Sequence, residues 1–248
     1  MDQQPLLILN NLRHRQKTMN LKIHTLRQIG NTIKIISLGL TGQSFPFRPG
    51  QAVALTINAP EHDILNQKRY YSLSSSPLTT THLELLIKDN ATSGVGHYLY
   101  NTLKKGQTLE ISGPYGNMVL PEKIPASITL IAGGSGIAPL MSILRYLTTT
   151  NSSTKISVLY STKTLKETAY RDELQTLASQ AKITYISTLT EESWGGTTGR
   201  ILRPFLEQHL PTKEGIFFIC GPKDMIKDTS QALKDIGVQE QSIIIERY

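Results

Sequence analysis

The sequence has a single cysteine, Cys220, among 248 residues. One thiol excludes an internal disulfide, and it excludes zinc sites and iron–sulfur clusters that several cysteines hold. The six histidines stand at positions 14, 24, 62, 82, 97 and 209, without the spacing of metal ligands. The sequence therefore predicts no metal site.

Long apolar runs are also missing. No stretch approaches the roughly 18 apolar residues that a transmembrane helix needs. Near the N-terminus only residues 6–9 are apolar, and basic residues follow them rather than precede them, unlike a secretory signal peptide. We therefore expect a cytoplasmic protein without a transmembrane segment.

The sequence has few acidic residues relative to basic ones. It contains 19 aspartates and glutamates against 26 lysines and arginines, so the formal net charge is +7. The excess serves solubility, or it favours an acidic partner. The basic residues are spread along the chain and no nucleic-acid motif is present, so we expect no nucleic-acid partner.

The first half of the sequence is rich in short segments of β character and has one helical segment, at 94–103. This composition predicts a small antiparallel β-barrel. The predicted strands are 21–26, 32–38, 52–57, 70–75, 83–88 and 108–112.

The second half alternates short apolar runs with helical stretches, which predicts a doubly wound parallel sheet of the α/β class. The predicted strands are 128–132, 156–160, 183–187, 216–220 and 242–245, and the predicted helices are 137–149, 165–179, 200–209 and 223–236. With 121–125 as the linker, we expect an N-terminal extension at 1–20, a barrel domain at 21–120 and an α/β domain at 127–248.

The strongest local motif is AGGSGIAP at 132–139, which follows a predicted strand and begins a predicted helix. Glycines allow the backbone to approach a ligand closely, and free N–H groups at a helix start attract an anion such as a pyrophosphate. The spacing is not G-x-G-x-x-G, so a tight turn without a ligand is the alternative. Ile137 stands where a nucleophile elbow needs glycine, which excludes that motif.

Three further motifs carry polar or glycine-rich patterns. In RYYSLSS at 69–75, strand alternation would place Arg69, Tyr71, Leu73 and Ser75 on one face, as a surface for a phosphate and a ring or simply as a polar strand face. SGVGHYL at 93–99 is a second candidate anion site or a flexible loop, and CGP at 220–222 ends a strand with a cysteine that could be only a packing residue. Two such anion sites in two domains suit an enzyme that holds two dinucleotides.

The order of these motifs over residues 21–248 resembles the ferredoxin–NADP reductase superfamily. The matching features are R-x-Y-S-x-x-S at 69–75, GGSGIAP at 133–139, WGG at 194–196 followed by Gly199, CGP followed by Met225, and ERY at 246–248. The resemblance implies an antiparallel β-barrel FAD-binding domain followed by an NAD(P)-binding α/β domain. It also implies an FAD-dependent NAD(P)H oxidoreductase, in which hydride passes from the nicotinamide to the flavin.

The resemblance assigns roles around the flavin. Arg69 would bind the FAD pyrophosphate, Tyr71 would pack against the isoalloxazine, and Ser72 would donate a hydrogen bond near flavin N5. Ser75 and the amides of 94–97 would hold phosphates. The implied FAD surface consists of Arg69, Tyr70, Tyr71, Ser72, Leu73, Ser75, Ile87, Lys88, Gly94, Val95, Gly96, His97 and Tyr248.

The resemblance also assigns roles around the nicotinamide nucleotide. Cys220 would lie near the nicotinamide, Glu246 would support proton exchange, and Tyr248 would cover the flavin until nicotinamide displaces it, so with Ser72 these are the implied catalytic residues. The implied nucleotide surface consists of Gly134, Ser135, Gly136, Ile137, Pro139, Ser161, Lys163, Thr190, Glu191, Cys220, Gly221 and Pro222.

The sequence departs from the family pattern at three places. Gly96 stands where relatives carry a serine. Thr190-Glu191 stands where NADPH-dependent relatives carry Ser-Arg, and a carboxylate there would repel the 2′-phosphate, which favours NADH, although Lys163 could attract that phosphate. No fused ferredoxin domain is present, since one cysteine cannot hold its cluster.

The electrons are therefore expected to reach a separate acceptor. The basic charge favours an acidic ferredoxin or flavodoxin, which this chain would meet as a monomer. The alternatives are a reductase component of an oxygenase, a reductase of free flavin or ferric complexes, and a non-catalytic flavoprotein subunit of a larger complex.

Overall fold

The computed structural model describes residues 16–89, 92–150 and 152–246. The chain divides into two compact units, one of Met1–Lys123 with Met141–Tyr146 and one of Ile124–Leu140 with Leu147–Tyr248. Most of the expected N-terminal extension, residues 1–15, lies outside the described residues, and so does Tyr248.

The first unit is built on an antiparallel sheet of six strands, in the order β4-β3-β6-β1-β2-β5. Leu73, just beyond β4, forms an isolated antiparallel bridge with Leu85 of β5, so the two edge strands of the sheet approach each other. The predicted antiparallel barrel class is thereby confirmed. The elements are β1 (Lys17–Ile29), β2 (Ile33–Gly39), β3 (Ala52–Ala59), β4 (Ile64–Ser72), β5 (His82–Lys88), α1 (Gly94–Thr102) and β6 (Thr108–Tyr115).

Strict alternation along β1 explains how the sequence forms this sheet. Met19, Leu21 and Ile23 are buried, whereas the residues between them are exposed, so one strand face joins the core and the other meets solvent. Buried side chains from all six strands and from α1 complete that core. Burying such apolar side chains contributes about 1.5–3 kcal/mol each before chain entropy is subtracted.

Among the strands of the first unit, β1 and β4 differ most from their predicted bounds. β1 begins at Lys17 rather than at residue 21. β4 runs over Ile64–Ser72 instead of 70–75, because beyond Ser72 the chain leaves the ladder and Leu73 N–H donates to the Gln51 carbonyl at 2.9 Å. The prediction that strand alternation continues to Ser75 was therefore wrong.

The second unit is built on a parallel sheet of six strands, in the order β10-β9-β8-β7-β11-β12. This confirms the predicted doubly wound parallel sheet. The strands are β7 (Ser127–Gly133), β8 (Lys155–Thr162), β9 (Thr184–Leu189), β10 (Thr197–Thr198), β11 (Ile216–Cys220) and β12 (Ile243–Glu246). The helices are α2 (Ile137–Thr149), whose middle residues group with the first unit, α3 (Arg171–Ser179), α4 (Arg203–His209) and α5 (Lys223–Asp235).

Three predicted helices of the second unit are shorter than their sequence pattern. The 165–179 segment is a 3-10 turn at Leu165–Glu167 followed by α3, because the buried Tyr170 adopts the left-handed conformation with φ of 58° and interrupts the helix. α4 begins at Arg203 rather than at residue 200, with Pro204 in its first turn, where a missing N–H costs nothing. α5 ends at Asp235, one residue before the predicted end.

Within the three described ranges, no helix is both long enough and apolar enough to cross a membrane.

Candidate functional site

The end of β4 presents an arginine and two aromatic rings. Arg69 is exposed, and its guanidinium donates to Gln67 Oε1 at 2.9 Å and to the Lys68 carbonyl at 3.0 Å. Tyr70 is 55% exposed and meets the Tyr115 ring edge-on, with ring centroids 5.2 Å apart. Tyr71 is only partly exposed, and burial raises the pKa of its phenol to about 12, against the lowering effect of Arg69. This strand end therefore offers a cation beside aromatic faces.

Three of the residues expected at the flavin turn their side chains into the core of the first unit. Leu73, Ile87 and Val95 are at most 2% exposed and belong to its hydrophobic cluster. Their side chains therefore belong to the core, and their backbone atoms are what remains for a ligand, as the resemblance implies for the amides of 94–97. Ser75 is also buried, and its hydroxyl accepts a hydrogen bond from Glu84 N–H at 3.1 Å.

The start of α1 has room for an anion. Gly94 has φ of 86° with no atom within 4 Å of the position of a Cβ, and the Ser93 side chain does not cap the helix. The first N–H groups of the helix can therefore bind a phosphate. A side chain at Gly96 would make ordinary contact, 3.5 Å from the Lys88 carbonyl, so packing does not require glycine where relatives carry serine.

His97, in the same helical turn, is held by a carboxylate. Its Nδ1 lies 3.0 Å from Asp89 Oδ2, and the two side chains are 40% and 16% exposed. Lys88 is partly buried at the end of β5. With Arg69 and the amides of α1, the first unit carries the donors that a pyrophosphate needs and the aromatic surface that a flavin ring needs, so the residues fit FAD.

The second unit brings its predicted nucleotide residues to one edge of its sheet. β7, β8, β9 and β11 run parallel, so their carboxyl ends meet there. The chain order reverses between β7 and β11, which lie side by side, and ligands of open α/β sheets bind at such a point.

Three glycines allow the turn after β7 to lie directly against the turn after β11. A Cβ at Gly136 would overlap the Cys220 carbonyl oxygen, and a Cβ at Gly133 would overlap Met225 Sδ. A Cβ at Gly221 would lie 3.0 Å from the Gly133 Cα. The glycine pattern is thus required by backbone contact, and it leaves a cradle in which a pyrophosphate can approach main-chain N–H groups.

The conformation of this turn is fixed from inside the second unit. Gly134 has φ of 52°, and its carbonyl accepts a hydrogen bond from the buried Tyr160 hydroxyl at 3.0 Å. Burial raises the pKa of the Tyr160 phenol, which therefore keeps the proton that it donates. Ser135 is partly exposed, whereas Ile137 and Pro139 are buried and shape the turn without facing solvent. The sequence did not reveal this role of Tyr160, because a tyrosine in an apolar strand looks the same as a packing residue.

The two residues with opposing effects on a 2′-phosphate form an ion pair with each other. Lys163 Nζ lies 2.9 Å from Glu191 Oε1, and the side chains are 59% and 56% exposed. The pairing raises the pKa of Lys163, chiefly through the hydrogen bond to Glu191. Thr190 N–H donates to the Thr162 carbonyl at 2.9 Å and keeps the two segments in register, while Ser161 is almost fully buried beside them.

Cys220 and Glu246 are neighbours in the parallel pairing of β11 with β12. The Cys220 side chain is fully buried, and Pro222 beyond it is exposed. Glu246 Oε2 is buried and has no hydrogen-bond partner among the described residues. Burial raises the pKa of this carboxyl from 4.5 to about 7. Such a carboxyl can hold and release a proton near neutral pH. Tyr248, expected over the flavin, lies outside the described residues.

Two family models match this chain, one over each half. The oxidoreductase FAD-binding domain matches residues 20–120, and the oxidoreductase NAD-binding domain matches residues 130–231.

Curated relatives come from several classes of reductase. A flavohemoprotein of Rhodopirellula baltica is 28% identical over 82% of this chain and 53% of its own length. NADH-cytochrome b5 reductase 1 of Aspergillus terreus is 29% identical over 75% of this chain and 65% of its own. The glycine betaine monooxygenase reductase subunit of Chromohalobacter salexigens is 28% identical over 78% and 54%. The chain thus matches between about half and two thirds of the length of these relatives.

Solved structures show the same fold. The flavohem-like FAD/NAD-binding domain of nitric oxide dioxygenase from Vibrio cholerae has a TM-score of 0.84 at 24% identity, covering 92% of this chain and 98% of that one. A ferredoxin NADP+ reductase from Neisseria gonorrhoeae, with bound FAD and NADP, has a TM-score of 0.77 at 25% identity, covering 93% and 98%. The chain therefore belongs to the ferredoxin–NADP reductase-like family of oxidoreductases, with an FAD-binding and an NAD-binding domain and with FAD and a nicotinamide dinucleotide as its cofactors.

Proposed function

We propose that this protein accepts a hydride from NAD(P)H on FAD and passes the electrons, one at a time, to a separate redox protein. The observation that carries the proposal is that each unit has its own dinucleotide-type site. The proposed site of the first unit combines the open start of α1 with the exposed Arg69 of β4, and that of the second unit is the glycine turn after β7. A chain with two such sites suits transfer between two dinucleotides.

In the first unit, the proposed role of the residues is to bind and orient FAD. Arg69 and the N–H groups of α1 neutralise the FAD phosphates, and Tyr71 packs against the flavin ring. The Ser72 hydroxyl donates near flavin N5. Bound FAD supplies the chemistry that converts a two-electron donor into one-electron steps.

In the second unit, the turn at Gly134–Gly136 would hold the pyrophosphate of the nicotinamide nucleotide. Cys220 and Gly221 would limit the depth to which the nicotinamide enters, because the two turns are already in backbone contact. Glu246 would exchange a proton near the nicotinamide, since its carboxyl has a pKa of about 7 through burial.

The acceptor is proposed as an acidic ferredoxin or flavodoxin, because the chain carries a formal net charge of +7. A second candidate is a reductase component of an oxygenase, which the name of the Chromohalobacter relative favours. We also propose a monomer that acts in the cytoplasm.

The acceptor proposal predicts a rate that depends on salt. With NADH in excess, the FAD-loaded protein should reduce an acidic ferredoxin or flavodoxin with a kcat/KM that falls about tenfold as salt screens the attraction between opposite charges. Stopped-flow absorbance of the acceptor at rising sodium chloride measures this dependence.

Riboflavin, which is uncharged, serves as the control acceptor in the same solutions. A salt-insensitive rate with the protein acceptors would contradict the proposed acidic partner. Faster reduction of riboflavin than of any protein acceptor would favour a free-flavin reductase instead.

The Lys163–Glu191 ion pair predicts how the donor preference can be changed. Glu191→Gln leaves the Lys163 ammonium without its counter-charge, so the kcat/KM ratio of NADPH to NADH should rise about tenfold. Lys163→Ala should shift the ratio the other way. Initial rates of flavin reduction with each donor give both ratios.

Glu192→Gln is the matched control, because it removes the same charge one residue further on. Glu192 Oε2 accepts from Leu165 N–H at 2.7 Å and is not the partner of Lys163. If Glu191→Gln and Glu192→Gln give the same ratio as the parent protein, the ion pair does not set the donor preference.

Glu246 predicts a pH-dependent stability. Its folded pKa of about 7 exceeds its ordinary value of 4.5, so between these pH values the folded protein keeps a proton that the unfolded chain has lost. The carboxyl therefore lowers stability progressively as pH rises from about 4.5 to 7. Glu246→Gln should raise Tm relative to the parent protein more at pH 8 than at pH 5, by differential scanning fluorimetry with excess FAD.

Glu240→Gln is the control for this prediction, since the Glu240 side chain is 83% exposed and lies close to β12 in sequence. An equal Tm difference at both pH values for Glu246→Gln would show that its carboxyl does not titrate in this range.

A further inference from the structure

The segment that follows β4, residues 72–76, is polar yet buried. The exposed fractions of Ser72, Ser74, Ser75 and Ser76 are 3%, 0%, 2% and 5%. Polar groups without solvent need partners within the protein, because an unpaired buried donor or acceptor costs about 1–3 kcal/mol. The partners of this segment therefore determine where its backbone lies.

One set of partners comes from β5. Ser74 N–H donates to the Glu84 carbonyl at 2.9 Å, and the Ser74 hydroxyl lies 2.9 Å from Glu84 Oε1. Glu84 N–H in turn donates to the Ser75 hydroxyl at 3.1 Å. Beyond Ser72, where the ladder of β4 ends, hydrogen bonds with Glu84 thus hold Ser74 and Ser75 in place.

The other set comes from the part of α2 that belongs to the first unit. The Ser142 hydroxyl donates to the Ser75 carbonyl at 2.7 Å, and this contact is buried. Arg145 Nη1 donates to the Ser74 carbonyl at 2.8 Å and to Glu84 Oε1 at 2.7 Å. The guanidinium therefore joins the segment and the carboxylate that supports it.

The Arg145–Glu84 ion pair is largely withdrawn from solvent, with side-chain exposures of 21% and 16%. A partly desolvated pair is sensitive to the loss of one partner, which leaves the other charge uncompensated. Arg145 donates to the Ser74 carbonyl and the Glu84 carboxylate accepts from the Ser74 hydroxyl, so the pair restricts the segment to one conformation.

We propose that Arg145, Glu84 and Ser142 are positioning residues for FAD, which hold residues 72–75 in the conformation that presents Ser72 to the flavin. This inference rests on the proposed function, since it takes Ser72 as a flavin contact. It adds three residues that would act through this segment and are expected to tune both the affinity for FAD and its potential.

The test measures the FAD dissociation constant by fluorescence titration of the apoprotein and the midpoint potential of the bound flavin. Arg145→Met should raise the dissociation constant about tenfold or more, because Glu84 is left uncompensated beside the Ser74 carbonyl. Adding Glu84→Gln in that background should recover part of the affinity, since the amide oxygen still accepts from Ser74 without a charge. At saturating FAD, Arg145→Met should also shift the midpoint potential, which a purely structural role would leave unchanged.

Arg203→Met is the matched control. Arg203 forms an ion pair with Glu207 at the same 2.7 Å, but the side chains are 59% and 50% exposed in the second unit, so FAD affinity and potential should not change. Should Arg145→Met fail to fold, Ser142→Ala provides the test, because it removes one buried hydroxyl that donates to Ser75.

Three outcomes would overturn the proposal. They are an unchanged dissociation constant and potential in Arg145→Met, the same in Ser142→Ala, or a fall of Tm in either variant with both flavin measurements unchanged. In each of these cases the parent protein still binds FAD and the proposed function stands. Failure of the parent protein to bind FAD would instead overturn the proposed function together with this inference.

Discussion

The backbone contact between the turns after β7 and β11 shapes the cradle that we propose for the nicotinamide nucleotide. Gly133, Gly136 and Gly221 let the two turns touch where side chains would overlap carbonyl oxygens or Met225. The contact occurs where the strand order of the parallel sheet reverses, so the cradle faces the edge at which all the strands end. Tyr160 fixes the cradle through the Gly134 carbonyl. The site is therefore preformed by the fold, and a ligand need not pay to order it.

In the FAD-binding unit, the proposed site is shaped in a different way. Its anion site is the open start of α1, but the polar segment beyond β4 has no glycine turn to shape it. Hydrogen bonds to Glu84, Ser142 and Arg145 fix the conformation of this segment instead. Main-chain sterics thus shape the proposed nicotinamide nucleotide site, and a buried polar network supports the proposed FAD site.

Those features of the fold that produce a local pattern in the sequence could be predicted from it. Alternating strands, the change to strand–helix alternation and the motif at 132–139 led to the right fold class and family. It did not reveal the break at Tyr170, because a left-handed tyrosine has no periodic signal. It also placed the end of β4 wrongly, since beyond Ser72 the Leu73 and Ser74 N–H groups donate to the carbonyls of Gln51 and Glu84. Arg145 and Glu84, 61 residues apart, could not be connected by any pattern in a single sequence.

We propose that one chain holds FAD and reduces it with a nicotinamide dinucleotide. Visible absorbance during anaerobic addition of NADH, and separately of NADPH, to the purified protein with FAD tests this proposal. We expect a bound flavin spectrum that bleaches at one equivalent of at least one donor. Protein that binds no FAD, or whose bound flavin stays oxidised with both donors, would show that the proposal is wrong.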